Sequence, residues 1–145
     1  MKLSDIQKHW DVDCKIDWAD AGKPSLRIPE IHNKYLKLHT ESRLKFRSME
    51  RELKVLIKFK HDYYNGDLNE PELLKEYGLE PMQKKIRKPE IERYVYADDD
   101  VTAILAKVEH LEEKLKYLEQ VLRQISNFSF AISNFIKWEQ MTNPG

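Results

Sequence analysis

Residues 98–136 read DDDVTAILAKVEHLEEKLKYLEQVLRQISNFSFAISNFI, and their periodicity decides the fold. Val101, Ile104, Val108, Leu111, Leu115, Leu118, Leu122, Ile125, Ile132 and Ile136 recur in steps of three and four, the a and d positions of a heptad repeat, with Ser129 the one polar residue in the series. Apolar side chains at that period form a single stripe along an α-helix. Asp98-Asp99-Asp100 supplies an N-cap and sets negative charge against the positive end of the helix. At about 1.5 Å per residue, about forty residues make a helix on the order of 60 Å long. Beyond Val121 the stripe widens, because Val121, Phe128 and Phe135 add a second row. A wider face suits contact with more than one neighbouring helix. So long a stripe exceeds what a monomer of 145 residues is expected to cover. The expectation is therefore self-association through Leu111, Leu115, Leu118, Leu122, Ile125, Phe128, Ile132, Phe135 and Ile136. The alternative is a hairpin with another helix of the same chain.

A second long helix precedes it. From Ile31 to Tyr64 there is neither Gly nor Pro. Tyr35, Ser42, Met49, Leu56 and Tyr63 follow one another at intervals of seven, with Leu38, Phe46 and Leu53 beside them, so one seam runs along this helix as well. Pro29 or Glu30 is expected to open it. Asn65-Gly66-Asp67 is expected to close it, since glycine accepts the left-handed conformation that ends helices. Ser4 is positioned to cap a short helix beginning at Asp5, and Gly22, Pro24 and Pro29 mark 17–29 as a loop or extended arm. Pro71 suits the first turn of a short helix running through Tyr77 and stopped by Gly78. Ile91, Arg93 and Val95 alternate with Glu92, Tyr94 and Tyr96, which leaves a short strand or extended segment open there. The fold class is thus all-α: two long helices plus short helices and loops, with the C-terminal helix expected to assemble into a homo-oligomeric ring.

Composition narrows the function. Hydrophobic residues make up 41% and charged residues 34% of the chain, a charge level common in long helices with solvated faces. No stretch approaches the roughly 18 apolar residues of a membrane span, and the first residues lack the apolar centre of a signal peptide. A single cysteine, Cys14, excludes an internal disulfide and suits a reducing cytoplasm. The net charge is zero, but it is unevenly spread. Residues 34–60 hold nine Lys or Arg against three Glu, a net of +6, whereas 98–145 hold eight acids against five bases, a net of −3. The middle is basic and the end acidic.

Catalytic patterns are missing. The four glycines lie far apart, so no phosphate-cradling loop is encoded. None of the five histidines falls at a metal-ligand spacing with another His or with Cys14. Asp98-Asp99-Asp100 reads as a helix cap in preference to a divalent-cation site, and Cys14 has no adjacent base to make it a nucleophile. No metal, cofactor or enzymatic activity is expected.

The basic middle carries more information. Arg43, Arg47, Arg51, Lys54 and Lys58 recur at steps of four, four, three and four, which on a helix is one stripe covering less than about a quarter turn. Packing like charges together costs stability, so the stripe points to an external anion. A row of phosphates would release counterions on binding it. A merely solvated face is the alternative. Next comes Ile57-Lys58-Phe59-Lys60-His61-Asp62-Tyr63-Tyr64-Asn65-Gly66, where bases and aromatics interleave as in proteins that hold single strands with cations on phosphates and rings under bases. Phe59, Tyr63 and Tyr64 are alternatively core residues, a reading that Met49-Leu56-Tyr63 favours for Tyr63. Lys58 and Lys60 point about 200° apart on a helix. Either the helix loosens there, or the two lysines serve different subunits or different stretches of strand.

The run Lys58-x-Lys60-x-Asp62-Tyr63-Tyr64-Asn65-Gly66 resembles the signature of the UvsY family of recombination mediators of large tailed phages, which reads Lys-x-Arg-x-Asp-Tyr-Tyr-Ser-Gly. Lys15-Ile16-Asp17, His32-Asn33-Lys34-Tyr35-Leu36, Ala97-Asp98-Asp99-Asp100-Val101 and Phe130-Ala131-Ile132 agree in the same order, over nearly the whole chain. The departures are Lys60 for Arg, Asn65 for Ser and a longer insert around 70–90. Lys for Arg keeps the charge and loses the planar fork. The resemblance implies a non-enzymatic protein that forms a homo-hexamer or homo-heptamer through its C-terminal region. It implies binding of single-stranded DNA chiefly through Lys58 and Lys60, and the stripe of Arg43, Arg47, Arg51 and Lys54, read from its spacing, joins them as expected DNA-binding residues. It further implies partners: the phage single-strand-binding protein, which the mediator helps displace, and a RecA-like phage recombinase, which it loads, in the cytoplasm of an infected bacterial host. On this reading 1–97 is an N-terminal single-stranded-DNA-binding region and 98–145 a C-terminal oligomerisation helix. The competing class is a structural or adaptor coiled-coil protein whose basic stripe meets an acidic protein surface.

Overall fold

The computed structural model describes residues 1–15 and 22–143, the side chains of 22–26 excepted. Five helices follow one another: α1 (Leu3–Asp13), α2 (Gly22–Tyr64), α3 (Pro71–Glu76), α4 (Lys88–Ala97) and α5 (Asp99–Thr142). No strand occurs among the described residues. The two long helices are those that the heptad patterns mark. The chain divides into two compact units, Met1–Leu44 with Glu112–Gly145, and Lys45–Leu111. That division differs from a boundary at 97/98, because α2 and α5 each give one part to each unit.

In the first unit α1, α2 and α5 share a core. Ile6, Tyr35, Leu118, Val121 and Ile125 are buried, with Trp10, Ile28, Ile31, Leu38, Tyr117 and Leu122 packed against them. Ile6 and Trp10 are four residues apart on α1. Ile28, Ile31, Tyr35 and Leu38 step by three or four on α2. Each buried side chain of this size contributes about 1.5–3 kcal/mol. Trp10 bridges the helices: its ring meets Tyr35 edge-on at 5.4 Å and stacks on Phe128 at 5.9 Å. α1 begins at Leu3, and its cap residue Lys2 makes no side-chain capping bond, so Ser4 is not the cap.

The expected loop over 17–29 is corrected in part. Residues 17–21 lie outside the described residues, but α2 begins at Gly22 and Pro29 stands inside it. An interior proline forfeits a helix hydrogen bond and costs about 3 kcal/mol. Ile28 and Ile31 on either side of it are half-buried against the core, and their packing works against that cost.

The widening of the α5 stripe has its explanation in this unit. Val121 packs in the core reached by α2, and Phe128 stacks on Trp10 of α1. The second neighbour that a broad face calls for is thus a helix of the same chain.

In the second unit Ile86, Ile91, Val95 and Val101 form the core, with Leu53, Leu56, Ile57, Tyr64 and Met82 against them. The extended segment that alternation leaves open at 91–96 is helix α4. Pro89 stands in its first turn, and Ile91 and Val95, four residues apart, are both buried. Arg93, which a strand would place on their face, is exposed. Gly66 and Gly78 sit at φ +82° and +66°. After α2 the Asp67 amide donates to the Asp62 carbonyl at 3.0 Å and the Gly66 amide to Tyr63 at 3.1 Å, closing the helix through a left-handed residue.

Candidate nucleic-acid interface

Arg47, Arg51, Lys54 and Lys58 lie on the part of α2 that belongs to the second unit, and all four are exposed. Their steps keep them within about 60° around the helix. Among the described residues no ion pair occupies any of them, so four positive charges face water side by side. Arg43 is exposed too, on the part of α2 within the first unit.

Lys60 differs from them. α2 continues regularly to Tyr64, so it does not loosen at the two lysines, and they diverge. Lys58 is exposed, whereas the Lys60 side chain is 3% exposed and its ammonium lies 3.2 Å from Asp98 Oδ2 and 2.9 Å from Asp100 Oδ2. Burial disfavours its charge, but hydrogen bonds to Asp100 and Asp98 outweigh burial and hold its pKa above the ordinary lysine value. In this structure Lys60 is held inside the unit and not offered to a strand. The sequence pattern contains a signal for this, because Lys60 comes one heptad after Leu53 and so falls on the buried side of α2.

Asp98 is the centre of that arrangement. Its Oδ1 accepts from the backbone amides of Asp100 at 2.9 Å and Val101 at 3.4 Å, which is the N-cap of α5. Its Oδ2 accepts from the Tyr64 hydroxyl at 2.6 Å as well as from Lys60. Burial pushes the Asp98 carboxyl up, yet the Tyr64 and Lys60 hydrogen bonds and the Lys60 charge bring it below the usual carboxylate range. Burial and the same carboxylate push the Tyr64 hydroxyl up. Lys60 and Tyr64, four residues apart on α2, thus grip one carboxylate that starts α5. Tyr63 donates to the Glu80 carbonyl at 2.6 Å, and its ring meets Tyr64 at 5.2 Å. Most of the run from Lys60 to Gly66 holds helix ends in place, whereas Lys58, two residues before it, faces outward and pairs with no carboxylate among the described residues.

The first unit repeats the device. Asp13 Oδ2 accepts from Lys34 at 2.7 Å and from the buried Tyr35 hydroxyl at 2.8 Å, and Lys34 lies 3.0 Å from His9 Nδ1. Burial and Asp13 push the Tyr35 hydroxyl up. Among the described residues no group of three or more His, Cys, Asp or Glu is arranged to hold a metal ion. No helix of the described residues is long and apolar enough to cross a membrane.

The apolar stripe of α5 is largely covered by its own chain. Leu111, Leu115, Leu118, Ile125 and Ile132 are buried, and Leu122, Phe128, Phe135 and Ile136 are half-buried. The premise that a monomer is too small to bury this stripe is corrected, because α1, α2 and α4 supply the cover. Apolar surface remains open at the C-terminal end, where Phe130 is 71%, Trp138 60% and Met141 81% exposed.

Residues 9–144 match the family model described as the recombination, repair and ssDNA binding protein UvsY. No curated protein matches by sequence. Among solved structures, crystal structures of the bacteriophage T4 recombination mediator protein UvsY share the fold. In one lattice the TM-score is 0.84 at 21% identity, covering 97% of this chain and 99% of that one. In another it is 0.84 at 23% identity, covering 100% and 99%.

Proposed function

The chain belongs to the UvsY family of recombination, repair and single-stranded-DNA-binding proteins, and from that premise we propose that it is a recombination mediator. It binds single-stranded DNA on the exposed row of Arg47, Arg51, Lys54 and Lys58. It helps displace a single-strand-binding protein and loads a RecA-like phage recombinase in the cytoplasm of an infected bacterial host. The observation that carries this reading is the row of exposed cations that pair with no carboxylate among the described residues, which suits a run of phosphates and releases their counterions. Lys60 contributes indirectly, by fixing α2 against the start of α5.

Self-assembly into a hexamer or heptamer is part of the proposal. It is supported by the open apolar side chains Phe130, Trp138 and Met141 and the half-buried Phe135 and Ile136 at the end of α5. The buried leucines of that helix serve each chain's own core. A ring would multiply modest phosphate contacts by avidity.

The test is fluorescence anisotropy of a labelled oligo-dT across a salt series. Four phosphate contacts give a log–log slope of about −3 for each engaged subunit. Replacing Arg47, Arg51, Lys54 and Lys58 together by alanine should remove most binding while sedimentation still reports the assembled species. Wild-type affinity in that variant would overturn the assignment.

A further inference from the structure

Beside the cation row lies an open groove of about 520 Å³ lined by Ser48, Arg51, Glu52, Val55, Leu56, Phe59, Tyr77 and Ile104. All of these residues belong to the second unit. Its walls are mostly apolar, and two of them are rings: Phe59 and Tyr77 meet at 4.6 Å and 45°. Tyr77 is 58% and Val55 70% exposed, so water bathes large apolar side chains with no cover of their own. The volume falls within the range of about 300–1,000 Å³ common for small-ligand sites.

We propose that this groove seats a nucleobase of the single strand whose phosphates lie along Arg47, Arg51, Lys54 and Lys58. The inference rests on the phosphate-row reading and adds to it where the bases go. Arg51 belongs to both features, so the occupant carries an anion at one edge. Glu52 lines the groove itself and repels phosphate, so the anion stays on the Arg51 side and the neutral, flat part enters. A nucleotide has that distribution of charge. Exposed rings offer a face to any base, which gives binding without sequence preference.

The experiment compares two labelled probes of equal length, oligo-dT and an abasic oligonucleotide with the same phosphates, against wild type, Tyr77→Ala, Tyr77→Phe and Val55→Glu. Loss of one base–ring stack weakens binding about fivefold to a hundredfold. Tyr77→Ala should therefore lose about that much for oligo-dT, with Tyr77→Phe close to wild type, and Val55→Glu should weaken oligo-dT by setting a carboxylate where the base enters. The abasic probe should bind wild type and Tyr77→Ala alike. Circular dichroism melts should show each variant folded at the assay temperature, with Tyr77→Ala lowered only by the loss of its ring contact with Phe59. Unchanged oligo-dT affinity in Tyr77→Ala would overturn the subsite while leaving the phosphate row intact. Equal weakening for both probes would overturn it too, by assigning Tyr77 to phosphate placement. A sedimentation change without an affinity change would give the groove to a second copy of the chain instead. Failure of wild type to bind either probe would remove the phosphate row and the subsite together.

Discussion

Lys60→Ala and Lys58→Ala remove the same charge from sites two residues apart on α2, and their surroundings separate the consequences. Lys60 is 3% exposed and pairs with Asp98, 8% exposed, and Asp100, 69% exposed. Removing one partner of a buried pair costs about 3–5 kcal/mol. Asp98 keeps the Tyr64 hydroxyl and two backbone amides, and Asp100 stays hydrated, so the expected cost is about 3 kcal/mol, the low end of that range. For a chain of this length that lowers the melting temperature by roughly 6–12 °C. Lys58 faces water, so its loss should change stability by less than about 0.5 kcal/mol. It should make the salt dependence of oligo-dT binding shallower by about 0.7 per subunit. The assay pairs thermal melts by circular dichroism, at one fixed protein concentration because association shifts apparent stability, with anisotropy titrations below the melting range. Lys60→Ala is expected to melt early and keep the wild-type salt slope, and Lys58→Ala the reverse. A Lys60→Ala protein that melts with wild type and loses as much slope as Lys58→Ala would refute the buried-clasp reasoning.

The pH dependence of stability should have two limbs. Asp98 has a lowered pKa in the folded chain, so its contribution is present above the unfolded value of about 3.9 and is lost as pH falls through the folded value. Lys60 has a raised pKa, so its contribution is present below about 10.4 and is lost as pH rises through the folded value. Urea titrations across acid pH should show Asp98→Asn with a flatter acid limb than wild type, and an identical limb would count against the linkage. Gly66→Ala should lose about 1–2 kcal/mol, the price of φ +82° for a residue with a Cβ, because no heavy atom lies within 4 Å to clash; a stability equal to wild type in urea would show that the turn relaxes freely. Tyr35→Phe should cost about 1 kcal/mol by deleting the hydroxyl bond to Asp13, read in the same titration, and a gain in stability would show that bond to be unfavourable.

How much was legible without coordinates depends on the range of the interaction. The heptad of 101–136, the Asp98 cap, the glycine stops at 66 and 78 and the stripe at Arg47, Arg51, Lys54 and Lys58 are all local patterns, set by helix period and backbone conformation. They stand in the structure as the residues indicate. The start of α2 at Gly22 was not legible, because local propensity at Pro29 opposes helix, whereas packing of the half-buried Ile28 and Ile31 on the first unit's core favours it. The helical state of 91–96 was obscured by Arg93, which mimics a strand alternation while Ile91 and Val95 pack at helical spacing.

By itself, then, the chain's sequence determined an all-α protein with two long amphipathic helices and a concentrated positive face, since period and charge spacing depend only on neighbours a few residues apart. Tertiary structure alone decided which side chains of that pattern are spoken for. Lys60 meets Asp98 and Asp100 across 38 and 40 residues of chain, and α1 covers the wide part of α5 from more than a hundred residues away. Partners that distant are brought together by packing, and no spacing within one helix encodes them.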